Sequence, residues 1–225
     1  AGPLLHSELT ALERALIAAK KPMIAVIGGS KISSKLEVLN EVSRRCDRLI
    51  VGGGIANTFL AAAGYPIGRS LCEWDLLDVA RRLMDRVTIP LPIDVVVAPS
   101  KSEGDQATVK LAADVLEQDM ILDVGPKTSQ QIADQIMKAK TIVWNGPLGV
   151  FEEKAFARGT CALASSIRDS SAFSLAGGGD TLSAINQFGV AESISYISTG
   201  GGAFLEYIEG KLLPGVAILE ERALD

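Results

Sequence analysis

Glycine gathers in this sequence where a phosphate-handling site would need it. Gly28-Gly29-Ser30-Lys31 closes one apolar run and Gly52-Gly53-Gly54 a second; Asn145-Gly146-Pro147 closes a third. Gly177-Gly178-Gly179-Asp180-Thr181 and Ser198-Thr199-Gly200-Gly201-Gly202 follow two more. Without side chains, the N–H groups of such segments can face an anion and a ligand can approach the main chain. Each cluster alone also reads as an ordinary tight turn. Their joint placement after apolar runs is the stronger signal.

Gly177–Thr181 carries the most chemistry, because free N–H donors and the positive end of a helix dipole suit a phosphate. Asp180 would repel that phosphate unless a cation sits between them, which points to Mg2+. The other reading is that Asp180 simply caps its helix. Lys31 and Lys35, spaced i, i+4 at the start of a helical pattern, put two cations on one face. That is unfavourable for the helix dipole, so either an anionic ligand compensates or both are ordinary solvated lysines. Trp144 to Pro147 and Val150-Phe151-Glu152 supply an amide, a carboxylate and apolar walls, parts suited to a sugar hydroxyl and a base face. Trp144 itself is expected in the core.

Two common nucleotide motifs fail. No Gly-x-x-x-x-Gly-Lys-Ser/Thr occurs. The nearest dinucleotide fingerprint, Gly52 to Asn57, has Asn57 where the third glycine belongs, with Glu73 roughly where a ribose-binding acid would stand.

The elements that must position these residues alternate. Strand-like runs fall at Met23–Ile27, Leu49–Val51, Val95–Ala98, Ile121–Val124, Thr141–Trp144, Phe173–Ala176 and Ile194–Ile197. Helical periods fall between them at Leu36–Arg45, Ile55–Ala63, Trp74–Arg86, Ser129–Ala139, Gly159–Arg168, Leu182–Phe188 and Ala203–Ile208. The pattern predicts an α/β, Rossmann-like three-layer domain: an open parallel sheet with helices on both faces. Pro90–Pro92 and the polar stretch Ser100–Gln106 interrupt it and predict a small extra hairpin or loop excursion. In such a sheet ligands bind at the carboxyl ends of the strands, where the glycines fall. Residues 1–20 read separately from the domain at 21–225: a helix Ser7–Ala18 with Ser7 as N-cap, Glu8 in its first turn and a Leu9, Leu12, Leu16 stripe.

Composition sets the outer bounds. The chain has 225 residues, 48% of them hydrophobic and 22% charged, an ordinary globular balance. With 22 basic against 27 acidic residues the net charge is −5, which argues against nucleic acid or an anionic membrane as partner. Cys46, Cys72 and Cys161 lack metal-ligand spacing and read as reduced thiols, and no apolar run is long enough to span a bilayer. A cytoplasmic location is the expectation. The lone histidine, His6, is expected to be exposed and to take no part in chemistry.

Read together, Gly28–Lys35, Val51–Thr58, Trp144–Glu152, Gly177–Thr181 and Ser198–Ala203 resemble phosphoglycerate kinase, in the family's order and spacing over essentially the whole chain. Ser198–Glu209 and Pro214–Arg222 resemble the bacterial branch. The resemblance implies phosphoryl transfer between 1,3-bisphosphoglycerate and ADP, with Mg2+ and ADP or ATP as ligands. It puts Lys31 and the glycines Gly200, Gly201 and Gly202 beside the transferring group, and Lys35 with Gly29 and Ser30 on the nucleotide. Asp180 would hold Mg2+, with Gly178, Gly179 and Thr181 on the phosphate chain. Gly52, Gly53, Leu71, Ile121, Leu122 and Val150 would form the adenine slot, Asn145 and Pro147 would lie along the nucleotide, and Glu152 would meet the ribose. Ile121 stands where some relatives have glycine, making that wall bulkier. The family's amino-terminal, phosphoglycerate-binding half has no counterpart in the sequence, and Ser7–Ala18 resembles the segment joining the halves. Nucleotide binding with little turnover is therefore expected. A dinucleotide-dependent oxidoreductase domain and a non-enzymatic α/β binding module are the competing readings.

Overall fold

A computed structural model describes residues 3–198 and 202–209, with the side chains of 3–6, 9, 202 and 203 left aside. Gly200, Gly201, the carboxyl-terminal segment and the side chains of His6 and Leu9 therefore lie outside the description.

Five strands form the main sheet: β1 (Met23–Gly28), β2 (Arg48–Gly52), β6 (Thr141–Asn145), β7 (Phe173–Gly177) and β8 (Tyr196–Ser198). Their order is β2-β1-β6-β7-β8 and all pairs are parallel. Strand β1 shows why the expected runs are unbroken rather than alternating, since all six of its residues are buried. Met23, Ala25 and Ile27 enter one core with Leu39, Phe59 and Leu83, whereas Ile24 and Val26 enter another with Ile136, Trp144 and Leu163. The first core is roofed by α1 (Pro3–Leu16), α2 (Leu36–Ser43), α3 (Gly53–Ala62), α4 (Leu77–Arg86) and α8 (Gly202–Ile208). The second lies under α5 (Pro126–Ile136), α6 (Arg158–Asp169) and α7 (Gly179–Gln187). The three-layer α/β expectation holds.

Two expected members of the sheet stand elsewhere. β3 (Asp94–Ala98) is flanked by its hairpin partner β4 (Thr108–Leu111) and by β5 (Met120–Val124) in a separate sheet ordered β4-β3-β5, antiparallel throughout. No crossover helix lies between β3 and β5, and without one neighbouring strands cannot run parallel. The extra hairpin thus absorbs two of the seven runs, and its second strand, mostly exposed, gave no apolar signal.

Several boundaries also move. α5 starts at Pro126, three residues before the expected Ser129; proline suits a first helical position, and the buried Asp94 carboxylate accepts hydrogen bonds from the N–H groups of Lys127 (3.0 Å) and Thr128 (2.8 Å). Trp74–Leu76 is a 3-10 turn ahead of α4, and Ala191–Ser193 another ahead of β8, which starts at Tyr196 rather than Ile194. α1 begins at Pro3, so Ser7 lies inside the helix and is not its N-cap. Leu12, Ala15 and Leu16 bury α1 against the sheet, and Arg14 stacks 4.0 Å over the Phe173 ring. Glu8 accepts hydrogen bonds from Tyr196 Oη (2.6 Å) and Ser198 Oγ, tying α1 to the end of β8.

Candidate functional site

The chain leaves β1 for β2 on one side, while β6 continues to β7 and β8 on the other. Their carboxyl ends are where the winding reverses, the place at which open α/β sheets bind ligands. Close packing there explains the glycines. A Cβ on Gly28 would lie 1.8 Å from the Pro147 carbonyl oxygen, and Gly146 has φ +106°, a left-handed conformation that favours glycine.

Lys35 sits on this junction. Its Nζ donates to Gly28 O (2.6 Å), Asn145 Oδ1 (2.6 Å) and Asn145 O (3.3 Å). Asn145, itself buried, is fixed by donating from Nδ2 to Gly177 O (2.7 Å). Burial pushes the Lys35 ammonium down from 10.5 to about 8, opposed by the charge of Asp180. Asp180 is exposed in the first turn of α7, and the N-cap is Gly178 (φ +96°), with no side-chain cap bond. The capping role considered for Asp180 is thereby excluded. A Cβ on Gly179 would meet nothing within 4 Å, so the start of α7 is open, while the buried Thr181 Oγ1 accepts from Gly146 N (2.8 Å).

Beside these groups opens a cleft of about 220 Å³. Gly29, Ser30, Gly53, Pro147 and Asp180 border it on the side of the parallel sheet. Leu71, Ile121, Leu122 and Val150 make an apolar slot toward the antiparallel sheet, with Glu152 exposed at its edge. Half-exposed Leu71 is a large apolar side chain bare of protein on one side.

Other expected site residues fall around this cleft. Lys35, Asn145, Gly178, Gly179 and Thr181 stand at the junction or the α7 start without lining the slot. Gly52 is a packing glycine whose Cβ would lie 2.4 Å from Pro147 O. Gly202 opens α8. Lys31 is exposed and outside the lining. It does not share a helix face with Lys35, because a 3-10 turn, Ser33–Lys35, intervenes and α2 starts only at Leu36. That turn is held by Glu73, whose carboxylate accepts from Ser33 N (3.0 Å) and Ser33 Oγ (2.5 Å). Burial works against the Glu73 charge, yet these bonds and Lys31 hold its carboxyl below the ordinary range. An acid committed in this way is not available to a ribose, which removes the support Glu73 lent to a dinucleotide reading. Gly54, Asn57, Lys101, Met120 and Gly149 also line the cleft and were not anticipated as site residues. For Lys101 and Met120 no sequence signal exists; for Asn57 the signal was its place on the same helical face as Gly53 and Gly54.

Asp180 suits Mg2+, which keeps several waters and takes one or two carboxylates together with substrate phosphates rather than an all-protein cage. Among the described residues no group of three or more His, Cys, Asp or Glu side chains forms such a cage. No helix among them is long and apolar enough to cross a membrane.

Fold and cleft together define a doubly wound α/β domain with an open cleft at its switch point. The chain belongs to the phosphoglycerate kinase family, whose model matches residues 1–211. It is similar to the structure of phosphoglycerate kinase from Coxiella burnetii, at 52% identity and TM-score 0.95 over 98% of this chain. It is also similar to the phosphoglycerate kinase of Pyrococcus horikoshii OT3, at 35% identity and TM-score 0.84 over 96%. The chain spans 58% and 56% of the lengths of those two proteins.

Proposed function

We propose that this chain is the nucleotide-binding half of a phosphoglycerate kinase and holds Mg-ADP or Mg-ATP at the strand-end cleft. The observation that carries this reading is the buried Lys35 ammonium at the strand-end junction, within electrostatic reach of Asp180 and beside an apolar slot that Asp180 borders.

In this reading the base lies between Leu71, Ile121, Leu122 and Val150, and Glu152 meets the ribose. The phosphates run toward Lys35 and the open N–H groups of Gly178, Gly179 and Thr181, where the α7 dipole favours negative charge. Asp180 would hold the Mg2+ that neutralises and orients those phosphates. Lys31, exposed on the loop after β1, would meet the transferring phosphoryl group.

Transfer between the carboxyl phosphate of 1,3-bisphosphoglycerate and ADP needs no general base, because neither attacking oxygen loses a proton. Alignment and positive charge are what the residues supply. The phosphoglycerate is held by an amino-terminal domain of the same enzyme, and this half alone binds nucleotide without appreciable turnover.

Calorimetry with Mg-ADP tests the reading: saturable binding that Asp180→Ala weakens at least tenfold supports it. No heat of binding to the unmutated chain would sink it. A coupled assay giving a normal rate with this chain alone would overturn the claim that it needs a second domain.

A further inference from the structure

At the base end of the slot one polar side chain is buried and unused. Asn57 is 3% exposed, yet its amide makes no hydrogen bond to another described residue, and what little it exposes faces the cleft. It is not sealed in the core, because it lines the cleft together with Gly53 and Gly54, one turn earlier on α3. A narrow cavity that shares Gly53, Asn57, Ile121 and Leu122 with the cleft measures about 10 Å³, and Leu60, Val95, Leu148 and the buried Asp123 also wall it. That is at the limit of what one water needs, and the Asp123 carboxylate is already committed to the N–H groups of Val124 (2.9 Å) and Gly159 (2.8 Å). Buried amides are almost always paired, so an unpaired one facing a cleft calls for a ligand group.

Its position is fixed. The first turn of α3 is held by Gly53 N donating to Leu148 O (2.9 Å) and Ile55 N donating to Gly29 O (3.1 Å). Thr58, the next residue, donates to Gly54 O (3.0 Å) and accepts from Glu73 N (3.2 Å). The side-chain amide is therefore presented by a rigid element, in a lining it shares with Leu71, Ile121 and Leu122. Lys101, also in that lining, is exposed and can only donate.

We propose that Asn57 reads the edge of the purine base, its amide pairing with the six-position substituent and the adjacent ring nitrogen. An amide offers an acceptor beside a donor, the pattern that complements the amino group and ring nitrogen of adenine. Apolar walls grip the faces of any base, whereas Asn57 distinguishes edges. This assignment rests on the nucleotide reading above.

The test compares Mg-ADP with the Mg complex of purine riboside 5′-diphosphate, which carries hydrogen in place of the six-amino group. The unmutated chain should prefer ADP by on the order of tenfold. Asn57→Leu, similar in size and at home among Leu60 and Leu148, should bind the two nucleotides equally, with its fold verified by thermal melting. Binding of both nucleotides by the unmutated chain without preference overturns the assignment alone. So does a preference that survives in Asn57→Leu. Binding of neither nucleotide overturns this assignment and the nucleotide reading together. The comparison on the unmutated chain decides the matter even if the variant does not fold.

Discussion

Lys35 holds its charge against burial at the strand-end junction, and replacing it should remove a pH dependence from the protein's stability. At neutral pH the folded chain keeps this ammonium charged against a proton affinity lowered from 10.5 to about 8. Relative to the unfolded chain, that costs about 3 kcal/mol. Lys35→Met removes the cost and keeps most of the packing of the stem. It forfeits three hydrogen bonds, to Gly28 O and to both oxygens of Asn145. Bonds from a charged donor are worth roughly 1.5–3 kcal/mol each, and the buried Asn145 loses its partner, so their loss offsets the gain. The variant should be no more stable than the parent at pH 7.

The pH dependence separates this cause from any packing effect. A lysine whose folded value lies below its unfolded one loses its proton first in the folded state. Between pH 8 and 10.5 the unfolded chain binds more protons, so parental stability rises relative to the variant. Relative to the parent, Lys35→Met should lose about 2.5 kcal/mol of stability between pH 7 and pH 10. Urea denaturation of both proteins at pH 7, 8, 9 and 10 measures it, and the difference cancels the titration of every other group. A difference that stays flat with pH, or a variant clearly more stable at pH 7, would refute the reasoning. The same desolvation serves function: an anion that meets this lysine need not strip it of water.

Three further outcomes are expected. Mg-ADP affinity should fall as pH rises above about 8, because the free protein then loses the Lys35 proton that the phosphates require; calorimetry at pH 7 and 9.5, with constant affinity as the contrary result, checks this. Gly28→Ala should cost about 3 kcal/mol or more in urea unfolding, since its Cβ would fall 1.8 Å from the Pro147 carbonyl oxygen; a loss under 1 kcal/mol would mean the strand ends part easily. The Tyr196 hydroxyl, pushed up to about 12 by burial and then by Glu8, should titrate lower in Glu8→Gln when followed by ultraviolet absorbance; an unchanged titration would deny the contact between α1 and β8.

The parallel sheet was legible because β1, β2, β6 and β7 are buried on both faces and so read as unbroken apolar runs. β3 and β5 give the same signal, as Val95–Ala98 and Ile121–Val124 are mostly buried too. What sends them to another sheet is the lack of a helix between them, and the mostly exposed β4 gave nothing to reveal its hairpin. The glycine clusters pointed to the strand-end region where the cleft lies, without distinguishing roles within it. Gly28 and Gly52 are there to let backbones touch, whereas Gly29 and Gly53 line the cleft. Asn57 looked like the defect in a failed fingerprint. Only the packing of α3 against β5 turns it toward the slot.

The most direct test of a nucleotide at the switch point is to follow backbone amide resonances of this chain while Mg-ADP is added. The account predicts shifts concentrated at Gly29, Gly53, Leu122 and Gly178–Thr181, with Asn57 side-chain amide signals moving alongside them. No shifts at saturating nucleotide, or shifts centred on the separate cavity around Thr108, Lys154 and Arg158, would contradict it.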